Sequence, residues 1–154
     1  MSPTTLTDQV RRESPTLSGE DTVFAAAKRI LEARLPALPI VDDAGRLEGI
    51  FGEREFIAAL FPGYLGELHS AAFVPGSIDD VLEKRLECRS EPVSKYANTE
   101  PIAVGPGHSD AQVAETFLHH RVLIVPVVDA ENRVVGLVTR WDFFRALVER
   151  FVAA

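Results

Sequence analysis

Two long segments of this chain repeat one another at a constant spacing. Residues 35–60 align with residues 122–147 without a gap, and Pro39 falls on Pro126, an offset of 126 − 39 = 87. Other identical pairs at this offset are Val41 with Val128, Asp42 with Asp129, Arg46 with Arg133, Gly49 with Gly136, Phe56 with Phe143, Ala59 with Ala146 and Leu60 with Leu147. Amphipathic periodicity alone does not reproduce matches of proline, glycine, aspartate and arginine, so the chain is a tandem duplication.

Each copy predicts the same order of elements, β-α-β-β-α. A short extended piece, PTLS or PIAV, precedes a helix whose apolar residues recur three and four positions apart, and Thr22 and Ser109 are suited to cap these helices. An apolar strand, a polar turn, a second strand and a closing helix follow. Because one copy of roughly 54 residues is too small to bury a three-stranded sheet and two helices, we expect an α+β fold in which the two repeats pack sheet to sheet.

The two copies, residues 6–61 and 93–151, are separated by an insertion at 62–92. Within it, SIDDVLEKRLE has a serine start and apolar spacing that predict a helix, and YLGELHSAAF is a second helical candidate. A connection this long inside a compact domain is usually structured or functional. We expect a partly helical insertion that packs on the outside of the two-repeat core.

Composition and charge exclude several classes of protein. The chain has 154 residues, of which 46% are hydrophobic and 25% charged, and this suits one soluble compact domain. A net charge of −7 and only short basic runs argue against nucleic acid as the main partner. Cys88 is the single cysteine, which rules out an internal disulfide. No apolar run approaches about 18 residues and the N-terminus has no apolar signal region, so we expect no membrane span and a cytoplasmic location.

No motif in the sequence predicts catalysis. G-x-S-x-G, the phosphate-binding loop and H-E-x-x-H are all missing, and no nucleophile has a base at a suitable spacing. His119 and His120 are adjacent, but neighbouring helical side chains point about 100° apart and nothing supplies a third ligand. We therefore expect no enzyme activity, no metal site and no required cofactor.

The element order, the tandem arrangement and the motif PVVD followed by GLVTRWD resemble a pair of cystathionine-β-synthase (CBS) domains, also called a Bateman module. The resemblance covers Leu6–Phe61 and Val93–Phe151. Gly136, Thr139 and Asp142 match the ribose-phosphate motif of that family. The resemblance implies a regulatory module that binds AMP, ADP, ATP or S-adenosylmethionine in a cleft between the repeats.

The segment GLVTRWD suits such a ligand on physical grounds. A strand that ends at Val138 and a helix that begins near Arg140 bring several unpaired backbone N–H groups together, which suits a phosphate. Thr139 adds a hydroxyl, and the Asp142 carboxylate, one turn along, can accept hydrogen bonds from both ribose hydroxyls. Thr-x-x-Asp is also a variant of the capping box, which satisfies N–H groups at a helix start without any ligand. The duplication and the surrounding pattern favour the ligand.

The resemblance also implies where the base lies in the second copy. The base is expected against the extended segment before the first helix and the start of the next strand, where backbone groups can read an adenine edge. These positions are Thr99, Pro101, Ile102, Val122, Leu123 and Ile124. Plain core packing is the alternative for Ile102, Val122 and Ile124. Candidates for phosphate binding are Arg140, Arg121, His119 and His120, and for each of them a solvated surface position is the stronger alternative.

The first copy departs from the motif. At the offset of 87, Gly52 stands in place of the threonine and Glu55 in place of the aspartate, so a hydroxyl is lost and the carboxylate is one methylene further out. Glu53 also lies where phosphates are expected, which opposes an anion. By resemblance, the residues of this weaker cleft are Thr16, Leu35, Pro36, Ala37 and Glu55. We expect one competent cleft and one degraded or altered cleft.

Two functions remain after these exclusions. The first is a stand-alone sensor, in which the ligand favours one packing of the repeats or one dimer geometry. The second is a structural interaction domain with no nucleotide bound. The closing helix carries Trp141, Phe143, Phe144, Leu147 and Phe151, more aromatic surface than one sheet covers, so we expect a homodimer through the helices of the repeats. An effector protein is implied, but the sequence does not identify it.

Overall fold

The two copies fold into two hairpins, each flanked by helices. The computed structural model describes residues 5–61 and 77–154. Its helices are α1 (Leu6–Val10), α2 (Val23–Ala33), α3 (Glu53–Leu60), α4 (Ile78–Lys84), α5 (Asp110–His119) and α6 (Arg140–Ala153), and its strands are β1 (Ala37–Val41), β2 (Leu47–Gly52), β3 (Ile124–Val128) and β4 (Val134–Thr139). Short 3₁₀ helices cover Leu86–Ser90 and Val93–Lys95. Each copy thus contributes a helix, two strands and a closing helix, in the order that the sequence predicts.

The two hairpins are built alike. β1 pairs antiparallel with β2 and β3 with β4, and each ladder has a bulge after its fourth residue pair. The third strand expected in each sheet is reduced to a single parallel bridge, made by Leu17 in the first copy and by Val104 in the second. The chain turns directly after each bridge, at residues 18–21 and 105–108, so the pairing cannot extend.

The hairpins meet through their turns. Each turn is closed by an aspartate that pairs with an arginine four residues later, Asp42 with Arg46 and Asp129 with Arg133. The same aspartates accept backbone N–H groups of their own turns. Two backbone hydrogen bonds of 2.9 and 3.0 Å then cross from one turn to the other. The aspartate and arginine matches of the repeat are therefore structural, because they hold both turns in the same shape.

The segment before the first strand of each copy crosses to the other copy. Arg12 forms an antiparallel bridge with Leu137 of β4, and Asn98 forms the same kind of bridge with Ile50 of β2. Each bridge consists of two backbone hydrogen bonds, all between 2.8 and 3.0 Å. The N-terminal helix α1 continues this exchange, because it packs against α5 and α6 of the second copy. Neither copy is therefore completed by its own segment of chain alone.

A glycine in each copy makes room for the crossing segment. A Cβ atom built on Gly49 would lie 2.9 Å from the Asn98 carbonyl oxygen, and one built on Gly136 would lie 2.9 Å from the Arg12 carbonyl oxygen. Both distances are shorter than real Cβ atoms adopt, so a side chain would push the crossing segment away. The glycine match of the repeat is thus explained by the close approach of the chain.

The buried core forms two clusters that share side chains between the copies. The cluster of the first copy contains Leu38 and Phe51, and it also includes Ile124 and Leu137 from the strands of the second copy. The cluster of the second copy includes Leu6, which comes from α1 at the N-terminus. Each copy therefore buries apolar surface that the other leaves uncovered, as expected for units too small to form a core alone.

Several local predictions are confirmed. Thr22 and Ser109 cap α2 and α5, and each side chain accepts the N–H of the third residue after it. In the insertion, α4 follows Ser77, which caps it. The second helical candidate, YLGELHSAAF, lies outside the described residues. No helix within residues 5–61 and 77–154 is long and apolar enough to cross a membrane.

Replacing Gly49 by alanine should lower the free energy of unfolding by about 1–3 kcal/mol, the usual cost of overpacking, because the new Cβ meets backbone rather than a flexible side chain. Chemical denaturation measures this change. Gly105→Ala is the matched control, since nothing lies within 4 Å of the Cβ that it adds. Equal unfolding free energies for the two variants would contradict the tight crossing at Asn98.

Candidate functional site

Thr139 lies at the junction of β4 and α6. Its Oγ1 accepts a hydrogen bond from the Asp142 N–H at 3.0 Å, and its side chain is buried. The neighbouring Arg140 N–H donates to the Leu123 carbonyl oxygen at 3.0 Å. Two of the N–H groups at the start of α6 are therefore already hydrogen-bonded. Fewer N–H donors are left for a phosphate than the sequence predicts. The helix-capping role of Thr139 is present in the structure.

The Asp142 carboxylate is held by an arginine from the N-terminal segment. Arg12 Nε donates to Oδ2 at 2.5 Å and Arg12 Nη2 donates to Oδ1 at 2.9 Å, which makes a bidentate ion pair. The Asp142 side chain is 3% exposed and that of Arg12 is 46% exposed. Burial opposes ionisation of Asp142, but hydrogen bonding to Arg12 and Thr139 and the charges of Arg12 and Arg145 outweigh it, so the pKa of Asp142 is lowered. The carboxylate is ionised at neutral pH, with both oxygens engaged.

A cavity of about 700 Å³, called the large cavity below, opens between the two copies beside this pair. The residues that line it are Arg34, Leu35, Pro36 and Glu53 of the first copy, Leu123, Thr139, Arg140, Trp141 and Phe144 of the second, and Arg12. Asp142 is not among them, because its carboxylate is buried against Arg12. The volume falls within the roughly 300–1,000 Å³ of sites for small organic molecules.

Positive charge dominates the polar part of the large cavity. In the described part of the chain, Arg34 and Arg140 have no carboxylate within ion-pair distance, whereas Glu53 adds one negative charge. Arg34 is positioned by a left-handed backbone conformation, with φ of 56°, that ends α2. Arginines without a carboxylate partner can bind a phosphate through their fork of N–H donors.

The equivalent cleft of the first copy is nearly closed. Its cavity, called the small cavity below, measures about 40 Å³ and is lined in part by Ala37 and Glu55. The Glu55 carboxylate turns back and accepts the Gly52 N–H at 2.9 Å, and burial raises the pKa of Glu55. A Cβ atom on Gly52 would lie 2.3 Å from the Ala37 Cβ and 2.5 Å from the Pro36 carbonyl oxygen. Threonine therefore has no room at position 52, which explains the departure from the repeat.

The structure groups the predicted residues across the copies, which differs from the grouping expected from the sequence. Leu35 and Pro36, expected in the weaker cleft of the first copy, line the large cavity. Val122 and Ile124, expected in the cleft of the second copy, line the small cavity, and Leu123 lines both cavities. The physical reason is that each cavity is walled by both copies, so the strand entrance of one copy faces the helix start of the other.

Besides Asp142, four predicted residues line neither of these two cavities, namely Thr16, Thr99, Pro101 and Ile102. Residues 99–102 follow Asn98, whose backbone is bonded to Ile50 of the first copy, and they are thereby carried away from the large cavity. The Thr16 carbonyl oxygen instead accepts a hydrogen bond from Arg29 Nη1 at 2.8 Å. The segment that does lie beside the motif of the second copy contains Arg12.

Of the four candidates for phosphate binding, Arg140 alone lines the large cavity. Arg121 lines the small cavity, and His119 and His120 are exposed at the end of α5 without lining either. Across the two described ranges, no three side chains of the histidine, cysteine, aspartate and glutamate types are grouped so that they could hold a metal ion.

Arg12 and Arg34 line the large cavity, although sequence reasoning did not single them out. Both lie one repeat before residues that it did name, since 99 − 12 = 87 and 121 − 34 = 87. Applying the offset upstream of each named residue would have nominated both positions. Arg12 and Arg34 come together in one cavity because the segment that contains Arg12 crosses to the second copy. This crossing leaves no periodic pattern in the sequence.

Comparison with known proteins finds one family at two places in the chain. The family model of the CBS domain matches residues 8–62 and 93–149. A CBS domain-containing protein of Dictyostelium discoideum is 27% identical over 134 residues, which are 87% of this chain and 84% of that protein.

Solved structures of CBS pairs have the same fold. CBSX2 from Arabidopsis thaliana superposes with a TM-score of 0.75 at 19% identity, over 99% of this chain and 100% of that one. CBSX2 in complex with AMP gives a TM-score of 0.69 at 21% identity, over 96% and 98%. The CBS domain pair of protein MJ0100, in complex with 5′-methylthioadenosine and S-adenosyl-L-methionine, gives a TM-score of 0.69 at 22% identity, over 96% and 99%. At these identities the likeness establishes the fold.

Thr139→Val should lower the free energy of unfolding by about 1 kcal/mol, because it removes the acceptor of the Asp142 N–H at a buried helix start. Thr116→Val makes the same chemical change at another buried threonine, whose hydroxyl donates to the Gln112 carbonyl oxygen of its own helix. That carbonyl can keep its helical partner, so the control should change stability by less than about 0.5 kcal/mol. Urea denaturation compares the two, and equal losses would contradict the capping role.

Proposed function

This chain belongs to the CBS domain family, and from that premise we propose that it is a regulatory module that binds an adenine nucleotide in the large cavity. The observation that carries the proposal is a cavity of about 700 Å³ walled by both copies, with the Thr139 motif on one side. A nucleotide bound there would touch both copies at once. It would therefore favour one packing of the copies, or one geometry with a partner, over another.

The arginines of the large cavity favour a phosphorylated ligand. Arg34 and Arg140 approach it from opposite copies, and Glu53 offsets only one of their charges. Thr139 lines the cavity beside them, with its hydroxyl hydrogen-bonded to Asp142. The sulfonium of S-adenosylmethionine would add a positive charge beside these arginines. We therefore expect AMP, ADP or ATP to bind ahead of S-adenosylmethionine.

The apolar residues of the large cavity suit the nucleoside part. Leu35, Pro36 and Leu123 line it and can cover the faces of an adenine ring. The Asp142 carboxylate lies behind Arg12 and is suited to accept from two ribose hydroxyls. The ligands of the two solved CBS pairs, AMP in CBSX2 and 5′-methylthioadenosine and S-adenosyl-L-methionine in MJ0100, share an adenosine-derived moiety. We propose that the ligand of this chain contains it too.

We propose one nucleotide per chain. The small cavity, at about 40 Å³, is far below the volume of a nucleotide site. Its carboxylate, Glu55, is used within the protein because it accepts the Gly52 N–H.

Calorimetric titration with AMP, ADP, ATP and S-adenosylmethionine tests the proposal. One of the phosphorylated nucleotides should bind at one site per chain. Asp142→Ala should weaken its binding by more than about tenfold, or 1.4 kcal/mol, because the ribose loses its acceptor. Glu149→Ala removes the same charge from an exposed position of α6 outside the cavity and should leave the affinity unchanged.

Two outcomes of this titration would count against the proposal. If Asp142→Ala and Glu149→Ala bind equally well, the nucleotide lies elsewhere on the protein. If the wild-type protein binds none of the four ligands, the sensor function falls and an interaction domain without a nucleotide takes its place.

Exposed apolar side chains favour a second role, as a dimerisation surface. The exposed apolar residues of α6 include Trp141, Phe144, Leu147 and Phe151. The expectation that Phe143 adds to this surface is wrong, because Phe143 is buried and its ring centroid lies 5.6 Å from that of Phe117. The remaining aromatic residues still present a broad apolar face, which on a soluble protein marks an interaction site.

The duplication places matching apolar residues on both copies. Leu31 of α2 is 77% exposed and Leu118 of α5, one repeat later at 118 − 31 = 87, is 78% exposed. Repeat-related patches suit a contact with two-fold symmetry, since each patch can meet its counterpart on a second molecule. We propose a homodimer through these helices, whose geometry the bound nucleotide alters.

Sedimentation equilibrium at micromolar concentration should give a dimer of 2 × 16.9 kDa = 33.8 kDa. The double variant Leu31→Glu/Leu118→Glu should raise the dimer dissociation constant at least about tenfold, because it places carboxylates in an apolar contact. Ile78→Glu, at an exposed apolar residue of α4 outside the repeats, should leave the dimer intact. A wild-type monomer, or a double variant that dimerises like the control, would contradict the proposed surface.

A further inference from the structure

Both oxygens of the Asp142 carboxylate are occupied by Arg12 in this structure. The proposed ribose contact needs the same two oxygens, and the Asp142 side chain is only 3% exposed. The guanidinium and a ribose therefore cannot both be bound at this carboxylate in the arrangement seen here. A nucleotide has to displace Arg12 before its sugar reaches Asp142.

We propose that Arg12 is a latch, an internal competitor that occupies the ribose position and that the nucleotide displaces, thereby loosening residues 5–12 from the second copy. The inference rests on the proposed function, because it names the regulation of the same cavity. The chemistry supports a competition: a guanidinium edge and a ribose diol each offer two donors to one carboxylate. The ligand therefore replaces a contact of the same kind.

The N-terminal segment is tied to the second copy at both of its ends. At one end, Arg12 and Leu137 exchange backbone hydrogen bonds of 2.8 and 2.9 Å beside the ion pair. At the other end, the N–H groups of Leu6 and Thr7 and the Thr7 hydroxyl donate to the Asp110 carboxylate at 2.8–2.9 Å. Loss of the Arg12 ion pair leaves that end of the segment held by the two backbone hydrogen bonds without the ion pair beside them. Binding of a nucleotide in the cavity thereby weakens the attachment of α1 to the second copy.

The first copy provides an internal comparison, because it lacks this latch. At the offset of 87, Thr99 takes the place of Arg12 and Glu55 that of Asp142, so no ion pair can form. The Glu55 carboxylate accepts the Gly52 N–H instead. The pairing of an entry segment with the motif carboxylate is therefore a property of the large cavity and not of the repeat as such.

The latch predicts in which direction each variant changes the affinity for the nucleotide. It raises the apparent dissociation constant in inverse proportion to the fraction of molecules in which it is open, about tenfold if one molecule in ten is open. Weakening the latch must therefore tighten nucleotide binding. If Arg12 instead bound the phosphate directly, its removal would weaken binding.

Titration of AMP, ADP and ATP into the wild-type protein, Arg12→Gln and Arg11→Gln separates these two roles. Arg11→Gln is the matched control, because it removes the same charge from the same segment and Arg11 has no ion-pair partner in the described part of the chain. Arg12→Gln should bind at least about fivefold more tightly than the wild type, and Arg11→Gln should stay within about twofold of it. Thermal melting shows that each variant is folded.

Asp110→Ala is a second variant that acts from a distance. It removes the acceptor at the start of α1, and Asp110 does not line the large cavity. The latch predicts that this variant also binds the nucleotide more tightly, by roughly two- to fivefold. It keeps the test decisive if Arg12→Gln does not fold. In the wild type, the nucleotide should also speed hydrogen exchange at the Arg12 and Leu137 amides.

The outcomes distinguish the latch from the function on which it rests. Tighter binding by Arg12→Gln or, if that variant does not fold, by Asp110→Ala supports the latch. If the wild type binds a nucleotide and these variants bind it no more tightly, the latch is overturned and the proposed function stands. If no nucleotide binds the wild type or any variant, both are overturned.

Discussion

Two pairs of backbone hydrogen bonds, one at Leu137 and one at Ile50, tie the entry segment of each copy to the last strand of the other. Neither hairpin is completed without them, because its open side is covered by chain that belongs to the partner copy. Gly49 and Gly136 permit the approach, since a Cβ at either position would meet backbone oxygen at 2.9 Å. The same crossing brings Arg12 to the start of α6 and so decides what lines the large cavity. The fold and the candidate site depend on the same few bonds.

The electrostatics of that cavity follow from one buried acid. A carboxylate removed from water must be met by donors, because an isolated buried charge is very costly. Asp142 is 3% exposed and finds its donors in Arg12, which is 46% exposed. The pair is unequal: the arginine can return to water at little cost, whereas the aspartate cannot. Whatever replaces Arg12 must therefore bring donors of its own, and this requirement restricts the replacement to a cation or to a group such as a sugar diol.

The duplication makes much of the fold predictable, because each local pattern is read twice. Helix positions, the caps at Thr22 and Ser109 and the order of the hairpins all follow from side chains close together in sequence. The third strand of each sheet is reduced to a single bridge because a turn follows at once. The pattern of apolar residues in a strand does not reveal over how many residues it pairs with its neighbour. The motif around Thr139 is also visible in the sequence. What is not visible is which copy supplies each wall, since Arg12 and Arg34 reach the cavity through pairing between distant segments.

The difference between the two cavities can be followed to one position. Gly52 lies so close to Ala37 that a Cβ there would be 2.3 Å away, and threonine is excluded. Without a hydroxyl, the start of α3 is bonded by Glu55, whose carboxylate accepts the Gly52 N–H. In the second copy the Thr139 hydroxyl caps α6, and the Asp142 carboxylate is left for another donor. A carboxylate that serves its own helix start has less acceptor capacity left for a ligand. The close packing at Gly52 thus separates a copy whose acid is bonded to its own helix start from one whose acid is held by Arg12.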